Sequence, residues 1–178
     1  MSTRTGSATR TSQAAGVSLN ADHGLLIIRL AIGILFIGHG TGKLFGWFGQ
    51  GGIKGTEAFF NSVGYHPAEK LAVFTGIVEL AAGILLCLGF LIPLASAIII
   101  GDMMNAAWVK SAMGFWIADD GYEYEVVLIL LVTVLAIAGA GAYALDRDRQ
   151  WFRNRAGGLV FAVVLGLLSG IIMLIVRD

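Results

Sequence analysis

Charge is scarce in this chain. Asp, Glu, Lys and Arg make up 13% of its 178 residues, about half their share of an ordinary soluble domain. With 57% hydrophobic residues and a mean hydropathy of +0.80, that scarcity excludes a soluble globular domain. It leaves an integral membrane protein with little mass outside the bilayer. Cysteine is nearly absent as well. Cys87 stands alone in an apolar run, which excludes a disulfide framework, a CxxC redox pair and a thiolate metal cluster. Inert packing is its expected role. His23, His39 and His66 show no metal-ligand spacing, so neither metal nor haem is expected. Basic and acidic residues balance at 12 each, which leaves no basic excess to hold nucleic acid. The two prolines, Pro67 and Pro93, both open apolar runs, where a missing backbone donor costs nothing.

What the chain does contain is long apolar runs. A spanning helix needs about 20 mostly apolar residues, and five segments qualify: Gly24–Phe45, Pro67–Leu88, Pro93–Met113, Tyr122–Leu145 and Gly157–Val176. The expected architecture is an all-α membrane bundle. Residues 1–23 are Ser, Thr, Ala and Gly with two arginines and cannot bury a core, so they read as a disordered tail. Their Arg- and Ser-rich, acid-poor composition also fits a transit peptide, but they lack its apolar helical face. A glycine-rich connector at 47–66 holds a short expected surface helix, Thr56–Val63, stopped by Gly64. Trp47, Phe48, Phe59, Phe60 and Tyr65 suit the aromatic belt at the membrane surface. A second connector, DRDRQWFRNR at 146–155, is arginine-rich, with Trp151 and Phe152 at interface depth. Arg4, Arg10, Arg147, Arg149, Arg153 and Arg155 then outweigh Lys54 and Lys70, which puts the N-terminus in the cytoplasm and the C-terminus outside.

Ionisable residues inside a span are costly and face the interior of a bundle. The first span carries three in the stretch RLAIGILFIGHGTGK. On a helical projection Arg29, Gly33, Gly40 and Lys43 share one face, and His39 lies about 40° aside. At about 1.5 Å per residue, Arg29, Glu79 and Asp102 come out near the same half of the membrane and form an expected buried cluster. One positive and two negative charges imply either that one of its carboxyls is protonated or that another cation joins. A second expected cluster belongs to the outer half, where His39 and Lys43 meet Glu123 and Glu125. Asn105, Trp108, Tyr122 and Tyr124 approach the same place. Imidazole, lysine, paired carboxylates and aromatics suit the head of a quinone-like molecule and can move protons. The same residues also have plainer readings. Buried pairs and an asparagine can simply fix helix register, and the two glutamates can be a solvated helix start. GHGTGK at Gly38–Lys43 imitates a phosphate loop, but Ile37 and Leu44 replace its first glycine and its Ser/Thr, and no strand precedes it. Gly158, Ala162, Gly166 and Gly170 form a small-residue ladder on the last span. It serves either packing within the bundle or docking of another membrane subunit.

Four stretches together resemble the DoxX family of small bacterial membrane proteins. They are RLAIGILFIGHGTGKLFGWFG at 29–49, VELAAGILLCLGFLIPLA at 78–95, DDGYEYEVVLILL at 119–131 and GAYALD at 141–146. The resemblance covers residues 24–148 and implies a four-helix membrane bundle in a bacterial inner membrane. The tail and the fifth helix, in 149–178, lie outside it. The family takes its name from a thiosulfate:quinone oxidoreductase. Relatives are linked to respiratory electron transfer and oxidative-stress defence, in some bacteria beside a superoxide dismutase and a sulfurtransferase. The resemblance therefore implies a subunit of a quinone-linked oxidoreductase or thiol-homeostasis complex, with the lipid bilayer and other membrane redox subunits as partners. A non-catalytic accessory subunit is the alternative, and a small-solute or proton pathway a third reading. No cysteine stands where a persulfide could be handled at a surface, which argues against direct thiosulfate chemistry.

Overall fold

The computed structural model describes residues 20–147, 155–175 and 177. Most of the expected tail and the 148–154 part of the arginine-rich connector, with Trp151 and Phe152, lie outside the described residues. Six α-helices follow in order: α1 (Ala21–Phe45), α2 (Gly52–Ser62), α3 (Ala68–Leu88), α4 (Ile92–Lys110), α5 (Glu123–Ala138) and α6 (Arg155–Ile175). Among the described residues β-pairing is limited to an isolated bridge between Tyr65 and Arg177. Among the described residues four helices are long and apolar enough to cross a membrane: α1, α3, α4 with its following turn to Met113, and α6. The end where α1 begins is called proximal below, and the opposite end distal.

Local chemistry sets the helix limits. Asn20 accepts from the backbone N–H groups of Asp22 and His23, and the His23 ring accepts from the Asn20 N–H in return. This cap starts α1 three residues before the apolar run. The helix stops at Gly46, whose φ of 75° only glycine adopts freely. The connector helix begins at Gly52 rather than Thr56 because left-handed glycines at 46, 49 and 52 fold the chain back beneath α1. The fourth apolar run also ends early. Gly139 and Gly141 take φ of 81° and 75°, so α5 stops at Ala138 instead of reaching Leu145. Segment 139–146 turns back across the proximal end.

The tightest packing in the bundle joins α1 to α3. A Cβ on Gly40 would meet the Gly76 carbonyl and the Leu80 backbone, and one on Gly83 would meet the Gly33 carbonyl and Ile37. The two backbones therefore touch directly, as small residues allow in lipid, where dispersion drives association. Helices α4 and α5 complete a four-helix core around Ile32, Phe36, Leu86, Ile99, Val132 and Leu135. Outside it, α6 lies along α4 and touches α5. The small-residue ladder is the seam of that contact. Gly166 fits against Ile100 and the Ala97 carbonyl, Gly170 against Met104 and the Gly101 carbonyl, and Gly158 against Pro93, with Ala162 fully buried between. This corrects the reading of these four residues as a rail for another subunit: α4 already fills it. Lipid instead faces the opposite side of α6, where Phe161, Val164, Leu168 and Ile172 are exposed.

Candidate functional site

Arg29 anchors the proximal end. It is fully buried, and its guanidinium donates to the Ala140 carbonyl at 2.8 Å and the Tyr143 carbonyl at 2.9 Å. Asp146 supplies the opposing charge and accepts from the Leu91 N–H at 3.0 Å, at the start of α4. Asp22 accepts from the Ala142 N–H at 2.9 Å, and the Tyr143 hydroxyl meets the His23 ring at 3.0 Å. Gly89 has no room for a side chain because the Arg29 guanidinium lies against it. Arginine's planar fork suits such a pair of carbonyl oxygens. Arg29 and both aspartates are tied to backbone, with Arg29 Nε left buried without a partner, and the arrangement staples 139–146 over α1 and the α3–α4 turn.

Glu79 and Asp102 are elsewhere, which corrects the expected triple cluster. Equal depth for these residues requires α1 to end level with the start of α3. In the structure Gly40 lies against Gly76 and Leu80, and Gly33 against Gly83 and Cys87. Glu79 is therefore level with His39, about 15 Å along the axis from Arg29, and the first residues of α3 project about 8 Å past the end of α1.

A second network occupies the distal half. The Lys43 ammonium donates to both oxygens of Glu79, at 2.6 and 2.7 Å. The Glu79 side chain is 2% exposed and that of Lys43 21%. The Asp102 carboxyl from α4 lies against Glu79, and its Oδ2 is buried with no donor in reach. His39, one turn before Lys43, lies within electrostatic reach of Lys43 and Asp102 and packs beside Phe36. Nearer the distal surface, Lys110 pairs with Glu125 at 2.7 Å, with side chains 36% and 5% exposed. The second Glu125 oxygen is buried and unpartnered. Half-buried Tyr124 stands within electrostatic reach of both Glu125 and Glu79. Four helices thus bring carboxyls, amines, an imidazole and a phenol together inside the membrane.

A family model for DoxX matches residues 24–112, half of the chain. The chain belongs to the DoxX family. No curated protein and no solved structure matches it. Within this DoxX protein the matched stretch holds Arg29, His39, Lys43, Glu79, Asp102 and Lys110. Tyr124, Glu125 and the 139–146 staple follow beyond it.

The remaining candidates of this DoxX chain lie outside the distal network or at its edge. Trp108 is 56% exposed and turns outward. Tyr122 packs edge-on against Phe115 at 5.5 Å, and Glu123 accepts from the Ile117 N–H at 2.8 Å, so both shape the loop before α5. Asn105 joins helices: it donates to the Gly101 and Gly170 carbonyls and accepts from the Tyr65 hydroxyl at 3.0 Å. Tyr65 is 3% exposed rather than a belt residue. Burial pushes its phenol above the ordinary value, which keeps it a neutral donor. Lys110 was absent from the sequence-derived site. Its signal was its place at the end of the third span, at the depth of Glu125. A cleft of about 670 Å³ lies at the proximal end, between Asp22, Pro93, Ala140, Asp146, Arg147 and Arg155, away from the distal network. Among the described residues no three His, Cys, Asp or Glu side chains gather as metal ligands.

Proposed function

We propose that this DoxX protein is a subunit of a quinone-linked membrane oxidoreductase, lying in a bacterial plasma membrane with its N-terminus in the cytoplasm. The distal network receives the quinone head group and manages the protons of its reduction. The carrying observation is the convergence of Lys43, Glu79, Asp102 and Glu125 within the membrane, with one oxygen of Asp102 and one of Glu125 lacking any donor. Buried polar atoms without partners are rare and call for a reason. Ionisable side chains in a span point to function by default.

The residues fit such a head group. Quinone oxygens need hydrogen-bond donors, and Lys43, the His39 ring and the Tyr124 hydroxyl can each donate. Neither the His39 ring nor the Tyr124 hydroxyl is engaged in a hydrogen bond with the described residues. A bound quinone would supply two-electron, two-proton chemistry, with electrons delivered by a redox partner subunit. Lys43 offers positive charge to an oxygen gaining electrons. Glu79, which alone holds Lys43, and the neighbouring Asp102 hold a proton between them, because two carboxylates in contact do not both stay ionised. Gentle purification of the native complex and solvent extraction should recover about one quinone per chain, and Glu79→Gln should empty the site. A complex that retains its partners yet contains no quinone would overturn the proposal.

A second reading rests on a different feature of the same network. Lys43–Glu79 and Lys110–Glu125 are closed pairs at 2.6 and 2.7 Å, and closed pairs can serve helix register alone. An accessory subunit built this way would co-purify with redox partners and carry no quinone.

A further inference from the structure

The four core helices stand in the order α1, α3, α4, α5, and the ring closes between α5 and α1. That last pair shares the least contact of the four. Its bonds lie at the proximal end, where Arg29 of α1 holds the Ala140 and Tyr143 carbonyls just beyond α5. In the distal half each helix commits its charges elsewhere: Lys43 of α1 to Glu79 of α3, and Glu125 of α5 to Lys110 of α4. Among the described residues no hydrogen bond or ion pair joins α1 to α5 there. A weakly closed seam is left in the wall of the bundle.

Helical geometry gives the residues that border it. On α1, Gly33, Ile37 and Gly40 face α3. His39 lies about 130° round from them, on the side away from the lipid-exposed Ile27 and Ile34. Leu35 precedes it by one turn on the same flank. On α5, the Val132 carbonyl takes the Ser96 hydroxyl of α4, and the Ala136 carbonyl lies beside Gly158 of α6. Tyr124 falls about 80° beyond Val132 on the flank opposite α6, with Leu131 two turns further in on that flank. The depths agree as well. Gly40 against Leu80 puts His39 level with Glu79, and Glu79 and Asp102 lie about equally far from the α3–α4 turn. From the Ser96–Val132 bond, Asp102 and Tyr124 lie about 9 and 12 Å towards the distal surface. The His39 ring and the Tyr124 phenol therefore border the same stretch of seam from opposite helices. Both are half-buried, and Leu35 and Leu131 pack against the core below them.

Two hydrogen-bonding rings without partners are costly at a boundary with hydrocarbon. An acyl chain would cover the seam but offer these rings nothing. A molecule with carbonyl oxygens on its head and a long apolar tail satisfies both the rings and the leucines. We infer that the distal α1–α5 seam is a lateral doorway from the bilayer, and that its occupant is a quinone with a long isoprenoid tail. The head passes between His39 and Tyr124, each able to donate to a quinone oxygen, and comes to rest beside Lys43. The tail stays between Leu35 and Leu131 and emerges next to Val127 and Val134, which are exposed to lipid. Entry by this route leaves the Lys43–Glu79 and Lys110–Glu125 pairs closed. The doorway rests on the quinone reading for the identity of the head, and adds the tail and the route.

The test places the full chain in lipid nanodiscs with long-tailed benzoquinone and naphthoquinone probes that carry a photoreactive diazirine on the first isoprene unit. Cross-links are mapped by mass spectrometry, with and without an excess of the unmodified quinone. Label should concentrate on Leu35, Leu131 and the residues beside them. Unmodified long-tailed quinone should remove it, and a tailless quinone at the same concentration should not. The double variant His39→Leu, Tyr124→Phe should lower the competed label at least about tenfold. Background label on the outward-facing Ile34 and Val164 should stay unchanged, which controls for folding. A diazirine phospholipid that marks the seam as strongly as the quinone probe would overturn the doorway. So would competed label confined to another pair of helices, equal competition by the tailless quinone, or competed label that survives the double variant. Quinone recovered from the native complex without competed label in the seam would remove the doorway and keep the quinone reading. No quinone in that complex and no competed label anywhere would remove both.

Discussion

The two ends of the bundle bury charge in opposite ways. At the proximal end Arg29 is surrounded by backbone: two carbonyl oxygens take its guanidinium, and the acids around it cap backbone N–H groups. At the distal end charge meets charge, lysine on glutamate, with carboxyl oxygens left over. The carbonyl partners of Arg29 have no second protonation state, so its bonds to them can only be made or broken. Side-chain partners titrate, so the distal end can gain or lose a proton while the helices stay in place. Full burial alone therefore does not separate a staple from a site; the nature of the partners does.

That contrast can be broken experimentally. The largest effect should come from Arg29→Met, which strands two buried carbonyls and Asp146 and should cost about 3–5 kcal/mol in an unfolding titration. Arg29→Lys should recover only part of it, since an ammonium lacks the fork. An Arg29→Met chain of ordinary stability that has lost the proposed quinone would invert the roles of the two ends. Next comes Glu79→Gln, at about 2 kcal/mol. Adding Lys43→Met should cost less than the sum of the single changes, with a coupling of about 1–3 kcal/mol. Strict additivity would mean the pair acts through its neighbours. Gly166→Leu should push α6 from α4 at about 1–3 kcal/mol and leave quinone content untouched, because the distal network is built without α6. Lys54→Ala should have no measurable effect on unfolding, since its ion pairs with Glu57 and Glu69 lie at the exposed surface.

The helical bundle was legible in the sequence because apolar length and the punctuation by Pro67, Gly89 and Pro93 are local signals. The distal site was partly legible. His39, Lys43 and Glu125 were legible as ionisable residues of the outer half, but not their partners: Lys43 pairs with Glu79 and Glu125 with Lys110, instead of with each other. Glu79 was assigned to the wrong end. Its depth depends on how far α3 slides along α1, and the glycines that fix this slide announce close packing without saying which glycine meets which. The Arg29 partners were hidden too. They are carbonyl groups, which every residue has, in a segment hydrophobic enough to read as the continuation of a helix.

The shortness of α5 has a consequence for the surrounding lipid. Its 16 residues measure about 24 Å, roughly 6 Å less than a typical hydrocarbon core. Val127, Leu130, Val134 and Ile137 are exposed along it, so acyl chains must cover this flank. A bilayer crossed by α5 has to thin beside it, while around the 21-residue α6 it need not. Mismatch costs fractions of a kcal/mol per ångström, enough to draw thinner membrane, or a neighbouring protein of matching height, to this one side of the molecule.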